Sequence, residues 1–306
     1  MNILIEQALE KALKQIVGEP ALRCQEPMKA HTSFQIGGPA DYLAEPGTEA
    51  QLAGLLSLCQ ESGVPVMVIG NGSNMLVSDT GIRGVVIKIG KKMNRVTVHG
   101  QQVNAQAGAT LSSLSRTLLQ QSLAGFEFAA GIPGTLGGAL AMNAGAYGGE
   151  MKDILVNCRV MNSRGIIQTL TLDEMHMGYR SSRVQKTGEI ILSANLALKS
   201  GVYRQIKFMM DDYWQRRVTR QPYYLPSGGS VFKRPEGYFA GKLIEDCQLK
   251  GVAVGGAMVS ELHAGFIVNT GDATAADVVN LMNLICKRVK ETHGVDLEAE
   301  LRVIGA

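Results

Sequence analysis

A chain of 306 residues, 45% hydrophobic, is long enough to bury sizeable cores in two or three domains, and a formal net charge of +3 is too small to argue for a nucleic-acid partner. The five cysteines are scattered, odd in number and free of any Cys-x-x-Cys, which fits a reducing cytoplasm and offers no metal spacing. No stretch approaches the apolar length of a membrane span, so a soluble cytoplasmic protein without a structural metal is expected.

The opening segment, MNILIEQALEKALKQIVG, carries Glu and Lys inside an amphipathic pattern. That predicts a helix and lacks the uninterrupted apolar core of a signal peptide. A turn-rich stretch over 31–39 leads to a strand near 40–45. Thr48 and Gln51 read as a capping box opening a helix through about Gln60, and Gly63 ends it. Residues 64–69 read as a strand of buried type, feeding the small-residue loop Gly70, Asn71, Gly72, Ser73, Asn74. A short strand at 85–89 completes a β-α-β pattern.

From Arg95 the texture changes. Residues 95–98 and 103–107 alternate, 110–121 reads as a helix, and strands are expected at 155–161, 165–172 and 190–198. This middle region is α+β with a mainly antiparallel sheet. A helix over 201–218 carries the only tryptophan, Trp214, and stops before Pro222; Arg216, Arg217 and Arg220 read as its solvated face. The last part contains a glycine-serine loop at Ser227–Ser230, short strands, and a helix over 274–292. Thr274 and Asp277 cap that helix and Gly294 ends it; alternation over 295–305 predicts a final strand.

Residues 131–149, GIPGTLGGALAMNAGAYGG, include seven glycines. Glycine lets a ligand approach the backbone closely, and successive exposed N–H groups can cradle phosphate oxygens. A set of tight turns between strands is the plainer alternative. The second small-residue loop at 70–74 tips the balance toward a large, phosphate-bearing cofactor. Neither loop is a common nucleotide fingerprint. Met75 stands where a dinucleotide G-x-G-x-x-G would need its last glycine, and Gly237 to Lys242 is one residue short of a P-loop, with Leu243 in place of Ser or Thr.

Five motifs in register then become specific: Phe34-Gln-Ile-Gly-Gly with the 70–74 loop; Gly131-Ile-Pro-Gly with Asn143-Ala-Gly-Ala-Tyr147; Gly178-Tyr-Arg180; Ser227-Gly-Gly-Ser-Val-Phe-Lys233; and Leu297-Glu-Ala-Glu-Leu-Arg-Val-Ile-Gly. From about His31 to Gly305 the chain resembles the bacterial UDP-N-acetylenolpyruvoylglucosamine reductase family. The short span from Arg180 to Ser230 resembles its compact subclass, which lacks an inserted tyrosine-bearing clamp. The resemblance implies an α+β fold: a two-part FAD-binding domain of the vanillyl-alcohol oxidase and p-cresol methylhydroxylase type, plus a C-terminal α+β substrate-binding domain. The implied boundaries are 1–94 (joined by 299–306), 95–213 and 214–298. It implies non-covalent FAD, NADPH as co-substrate, a UDP-sugar enol ether as substrate and peptidoglycan precursor synthesis as the setting. A monomer with no nucleic-acid or membrane partner is expected.

The resemblance also implies site residues. The cofactor would be bound by the 70–74 loop together with Gly131, Ile132, Pro133, Gly134, Gly138, Asn143, Ala144 and Gly145. The substrate would meet Tyr147, Lys233, Arg234, His263 and Asn269, and catalysis would fall to Arg180, Ser230 and Glu300. The chemistry gives these types a reason. Hydride attack at C3 of an enolpyruvyl ether creates carbanion character at C2, which spreads into the carboxylate. A guanidinium, always charged and able to pair bidentately, suits that charge. Arg180 competes with Arg183 for this task, and a structural role at a strand end remains open for either. Glu300 shares a strand face with Glu298, and motif register alone selects it. Ser230 is the implied proton donor, with Lys233 an available cation; a turn or cap serine is the alternative. Ser230 is not set in a G-x-S-x-G elbow, so no hydrolase triad with His263 is read. Arg234 stands where several family members carry Asn. Tyr147 lines the flavin site or simply packs, and a core role is open for His263. An oxidase of the same fold and a non-catalytic binding protein are the competing classes.

Overall fold

The computed structural model describes residues 3–305; Met1 and Asn2 of the expected first helix, and Ala306, lie outside the described residues. The chain forms two compact units. The first contains the residues up to Cys24, Tyr42–Asn71 and Gly84–Gln215; the second contains Gln25–Asp41, Gly72–Arg83 and the residues from Arg216 onward.

In the first unit, helix α1 (Ile3–Val17) is followed by α2 (Glu49–Glu61), α3 (Leu111–Gln120), α4 (Leu136–Ala141), α5 (Arg183–Thr187) and most of α6 (Tyr203–Arg220). Threonines open three of them: the Thr48, Thr110 and Thr135 side chains each accept a first-turn N–H of α2, α3 and α4. The capping box expected at α2 is only half formed. Gln51 reaches past the cap and accepts from Gly47 N at 2.7 Å instead. The sheet of the middle region runs in the order Ile167–Thr171, Leu155–Met161, Ile190–Ala197, Gln102–Gln106, Val96–His99, antiparallel throughout. Its register is marked by an amide ladder: Asn104 donates to Asn195, and Asn195 to Asn157, each at 2.8 Å. The core gathers Leu13, Leu52, Leu55, Leu111 and Leu114 with the buried faces of these strands.

Two expectations change here. The strand Val66–Ile69, which pairs in parallel with Ile82–Lys88, is not buried: Val66 and Val68 are exposed. It lies at the edge of its sheet, so its apolar run is not covered as an interior parallel strand would be. The glycine-rich stretch is not only turns and cradle, since it contains α4. Its glycines let that helix pack closely, a Cβ on Gly137 falling 2.9 Å from that of Ala107.

The second unit carries α7 (Ala240–Asp246), α8 (Ala275–His293) and an antiparallel sheet ordered Ser227–Ser230, Phe266–Asn269, Ala257–Val259, Ala253–Val254. Val278, Leu281, Ile285 and Val289 of α8 recur at helical spacing and are buried with Val231, Ile244, Val259, Phe34, Ile36 and Leu76. The capping box of α8 is complete, and Gly294 ends the helix in the left-handed conformation.

Two further expectations are corrected in this unit. Ser227–Ser230 is a strand rather than a loop. Ser227 pairs with Val268 and Ser230 with Phe266, so three steps oppose two, and the extra residue makes a bulge at Gly229, whose φ is 82°. Neighbouring Gly228 leaves room for Phe34 and Leu301, which a Cβ would meet at 2.8 and 2.5 Å. The expected closing strand over 295–305 shrinks to Arg302–Ile304, parallel to Met75–Val77. Upstream, Ala299 bridges Phe232 and the Glu298 carbonyl accepts from Lys233 N at 2.8 Å, so the segment changes partner too quickly for one ladder.

Candidate active site

In the first unit the two glycine loops lie against each other. A Cβ on Gly70 would collide with Thr135 Oγ1, and that hydroxyl accepts from Gly138 N at 3.4 Å. Gly131 and Gly134 have φ of 80° and 137°, and the Gly134 carbonyl accepts from Leu111 N at 3.1 Å, tying the loop to the start of α3. Ile132 N donates to the Ala129 carbonyl at 3.1 Å. Asn71, Pro133 and Gly138 are exposed. The backbone is therefore the outer surface here, with no room for a Cβ at Gly70 and positive φ at two glycines. Such a cradle suits close approach of a diphosphate-bearing cofactor.

In the second unit the remainder of the 70–74 loop is fixed from below. A Cβ on Gly72 would collide with the His31 carbonyl, and the Gly72 carbonyl accepts from Ser33 N at 3.2 Å. Ser73 and Asn74 are half-buried, and Asn74 Nδ2 donates to the Glu300 carbonyl at 3.1 Å.

Arg180 sits at a two-residue turn. Gly178 and Ser181 exchange both backbone hydrogen bonds, at 3.1 and 3.3 Å, and Arg180 takes a φ of 52°. Its guanidinium lies 5.1 Å from the Tyr179 ring centroid and donates to the Gly145 carbonyl at 3.3 Å. Arg183 is committed elsewhere: its Nε lies 3.0 Å from Glu189, whose side chain is almost fully buried. Burial alone would raise the Glu189 pKa, but hydrogen bonds from Thr187 and Arg183, and the Arg183 charge, together lower it. Asn143 is fully buried with φ 43°, and the turn after it brings Gly145 opposite Glu150. Ala144 is buried beside it. Tyr147, at φ 52°, stacks on Tyr213 with centroids 4.4 Å apart and donates to the Tyr213 carbonyl at 3.1 Å. It is exposed, so it is not an ordinary buried aromatic.

Ser230 and Glu300 come together within the second unit. Glu300 N donates to the Val231 carbonyl at 2.8 Å, which places the two residues on adjacent segments. Ser230 Oγ donates to the Phe232 carbonyl at 3.3 Å. Glu298 is exposed and paired with Lys233, while Glu300 is half-buried. The two carboxylates thus differ, because 298–300 does not run as the regular strand that would have put them on one face. Arg234 lies over the Phe239 ring at 3.9 Å and donates to the Tyr238 carbonyl at 3.2 Å.

His263 Nδ1 accepts from Gly265 N at 3.0 Å, and the ring meets Phe266 edge-on at 5.0 Å. Burial is the main cause of its lowered pKa. Asn269 is buried. Its amide donates to the Phe34 carbonyl at 3.2 Å and accepts from Gly271 N and Ala273 N, at 2.9 and 3.1 Å, organising the turn before α8. Sequence reasoning missed Glu150, Tyr213 and Phe239. Each meets a flagged residue, and none carries a local signature of its own.

Among the described residues no helix is long and apolar enough to cross a membrane, and no cluster of His, Cys, Asp and Glu is arranged to hold a metal. Residues 40–171 match the family model described as an FAD binding domain, and residues 221–304 that of the UDP-N-acetylenolpyruvoylglucosamine reductase C-terminal domain. The chain is 54% identical to the UDP-N-acetylenolpyruvoylglucosamine reductase of Alkaliphilus oremlandii over 96% of its length and 97% of that protein's. It is 51% identical to that of Clostridioides difficile, with 96% of each chain covered. The crystal structure of the Thermus caldophilus enzyme superimposes with a TM-score of 0.79 at 35% identity, over 90% of this chain and 97% of that one. The full-length matches, together with the glycine cradle, show that this chain belongs to the UDP-N-acetylenolpyruvoylglucosamine reductase family of FAD-binding oxidoreductases.

Proposed function

We propose that the chain reduces UDP-N-acetylglucosamine enolpyruvate to UDP-N-acetylmuramate for peptidoglycan precursor synthesis, as a cytoplasmic monomer. FAD, when bound, supplies hydride transfer from NADPH to C3 of the enol ether. In this reading 1–94 (with 299–306) and 95–213 serve the cofactor, and 214–298 serve the UDP-sugar. The Gly70 loop, with Gly131, Ile132, Pro133 and Gly134, is assigned to the cofactor's diphosphate region. Ser230 and Glu300 on adjacent segments are the observation that carries the reading, because the substrate must receive a proton at C2 and hold charge on its carboxylate.

Arg180 is assigned the carboxylate, whose negative charge grows as C3 is attacked. An interaction that strengthens in this way accelerates the step rather than merely tightening binding. Glu300 is assigned to the same charge as a hydrogen-bond donor. Ser230 delivers the proton; its 3.3 Å bond to the Phe232 carbonyl is long and is readily exchanged for substrate. Lys233 is held by Glu298 in a solvent-exposed pair, of the kind that contributes little and yields to a phosphate. Arg234, flat on Phe239, presents a fork to the same diphosphate.

Anaerobic absorbance tests this. NADPH is expected to bleach the flavin band and the enolpyruvyl ether to restore it. In Ser230→Ala, bleaching is expected to persist while recovery nearly stops. Parental recovery in that variant would sink the proton-donor assignment; a parental protein that bleaches but never recovers would sink the substrate.

A further inference from the structure

Glu150 belongs to no recognised motif, yet it fixes the turn that carries Arg180. Asn143 Nδ2 donates to Glu150 Oε2 at 2.6 Å and to the Gly178 carbonyl at 3.0 Å, while Asn143 Oδ1 accepts from Lys152 N at 3.0 Å. Carboxylate and carbonyl can only accept, and the backbone N–H can only donate, so the amide has one allowed orientation. The Gly178 carbonyl in turn closes the two-residue turn by accepting from Ser181 N. Ser182 Oγ, donating to the Ala141 carbonyl at 2.5 Å, pins the other side of the turn. Lys152 Nζ lies 2.5 Å from Glu150 Oε1, which holds the carboxylate in place. The chain of contacts runs Lys152, Glu150, Asn143, Gly178, and the turn that Gly178 closes contains Arg180, whose φ of 52° is left-handed, where an L side chain is strained.

We infer that Glu150, acting through Asn143, is a positioning residue for the Arg180 guanidinium, and hence for the substrate carboxylate; this rests on the assignment of Arg180 made above. A turn left to relax would move the guanidinium, and a displacement of about 1 Å at a reacting group costs on the order of a hundredfold. NADPH oxidation does not involve that carboxylate.

The test compares the two half-reactions of the FAD-loaded enzyme in Glu150→Ala, Glu150→Gln, Arg180→Ala and the Glu150→Ala/Arg180→Ala double variant. Glu150→Ala is expected to reoxidise with the enol ether about 10- to 100-fold more slowly, with its flavin spectrum and rate of reduction by NADPH unchanged. Glu150→Gln, which keeps an acceptor for Asn143, is expected to recover most of the loss. In the Arg180→Ala background the Glu150 substitution is expected to add nothing. Full additivity, equal slowing of both half-reactions, or parental reoxidation in Glu150→Ala would each overturn the inference while leaving Arg180 in its role. Parental reoxidation in Arg180→Ala would overturn the role of Arg180 and the inference with it.

Discussion

Asn143, Tyr147 and Arg180 all take positive φ although none is glycine, and all three fall within the two segments joined by the Asn143 amide. Each such residue costs about 1–2 kcal/mol. At Asn143 three hydrogen bonds offset that cost, and at Tyr147 a stacked ring and a hydroxyl bond do. His263 illustrates a different residue-scale effect. Burial holds its pKa below the ordinary 6.5, so as pH falls below that value the unfolded chain takes up a proton the folded one resists. Its contribution is absent above 6.5 and destabilising below it. Thermal midpoints of His263→Asn, which can keep an acceptor for Gly265 N, are therefore expected to fall less between about pH 7.5 and 5.5 than those of the parent; an identical fall would refute this. Residue types were legible in the sequence, but allegiances were not. Arg180 and Arg183 are three apart and indistinguishable by pattern, and only Glu189 beside Arg183 separates them.

Helix ends show which signals travel along the chain and which do not. The Thr274–Asp277 box was readable because its partners are three residues apart. The other two first-turn donors of α8 are met by Asp79, which accepts from Ala275 N at 2.8 Å and Ala276 N at 3.1 Å. Nothing local announces a cap almost two hundred residues away. Asp79→Ala is expected to lower unfolding stability by about 1–2 kcal/mol, the usual cost of losing a helix cap. Urea titration would measure it, and a change below roughly 0.3 kcal/mol would show that water replaces the carboxylate. The same limit explains the Ser227–Ser230 strand. Its glycines read as a loop, yet Gly228 makes room for Phe34 and Leu301 and Gly229 supplies the bulge, needs set by distant segments. The asparagine ladder went unread for the same reason: its three members become neighbours only when the register of three strands is fixed.

At the scale of the whole molecule, length and composition indicated several domains, and the order of the motifs indicated the family. The interleaving of the chain was not legible, because periodicity and caps are local signals. The second unit is assembled from three separated segments, although the matched C-terminal family segment is continuous over 221–304. Phe34, Ile36 and Leu76 are buried in its core, and Met75–Val77 is the strand that receives Arg302–Ile304. A fragment of residues 216–306 lacks Phe34, Ile36 and the Met75–Val77 strand. It is expected to show little protection from amide exchange and no cooperative thermal transition; a sharp transition in that fragment would contradict the dependence.

The pairing of Arg302–Ile304 with Met75–Val77 also sets an order of events during synthesis. The first unit has all its segments once Gln215 has been made, whereas the second waits for Leu301 and the strand beyond it. At roughly 5–20 residues per second, the nascent Leu76 side chain waits about 11–45 seconds, and that of Phe34 about 13–53 seconds, for Leu301. A ribosome making this enzyme therefore exposes these apolar side chains until the segment around Leu301 is made, and a chaperone that shields them would bind near Phe34 and Leu76 and be displaced by that segment.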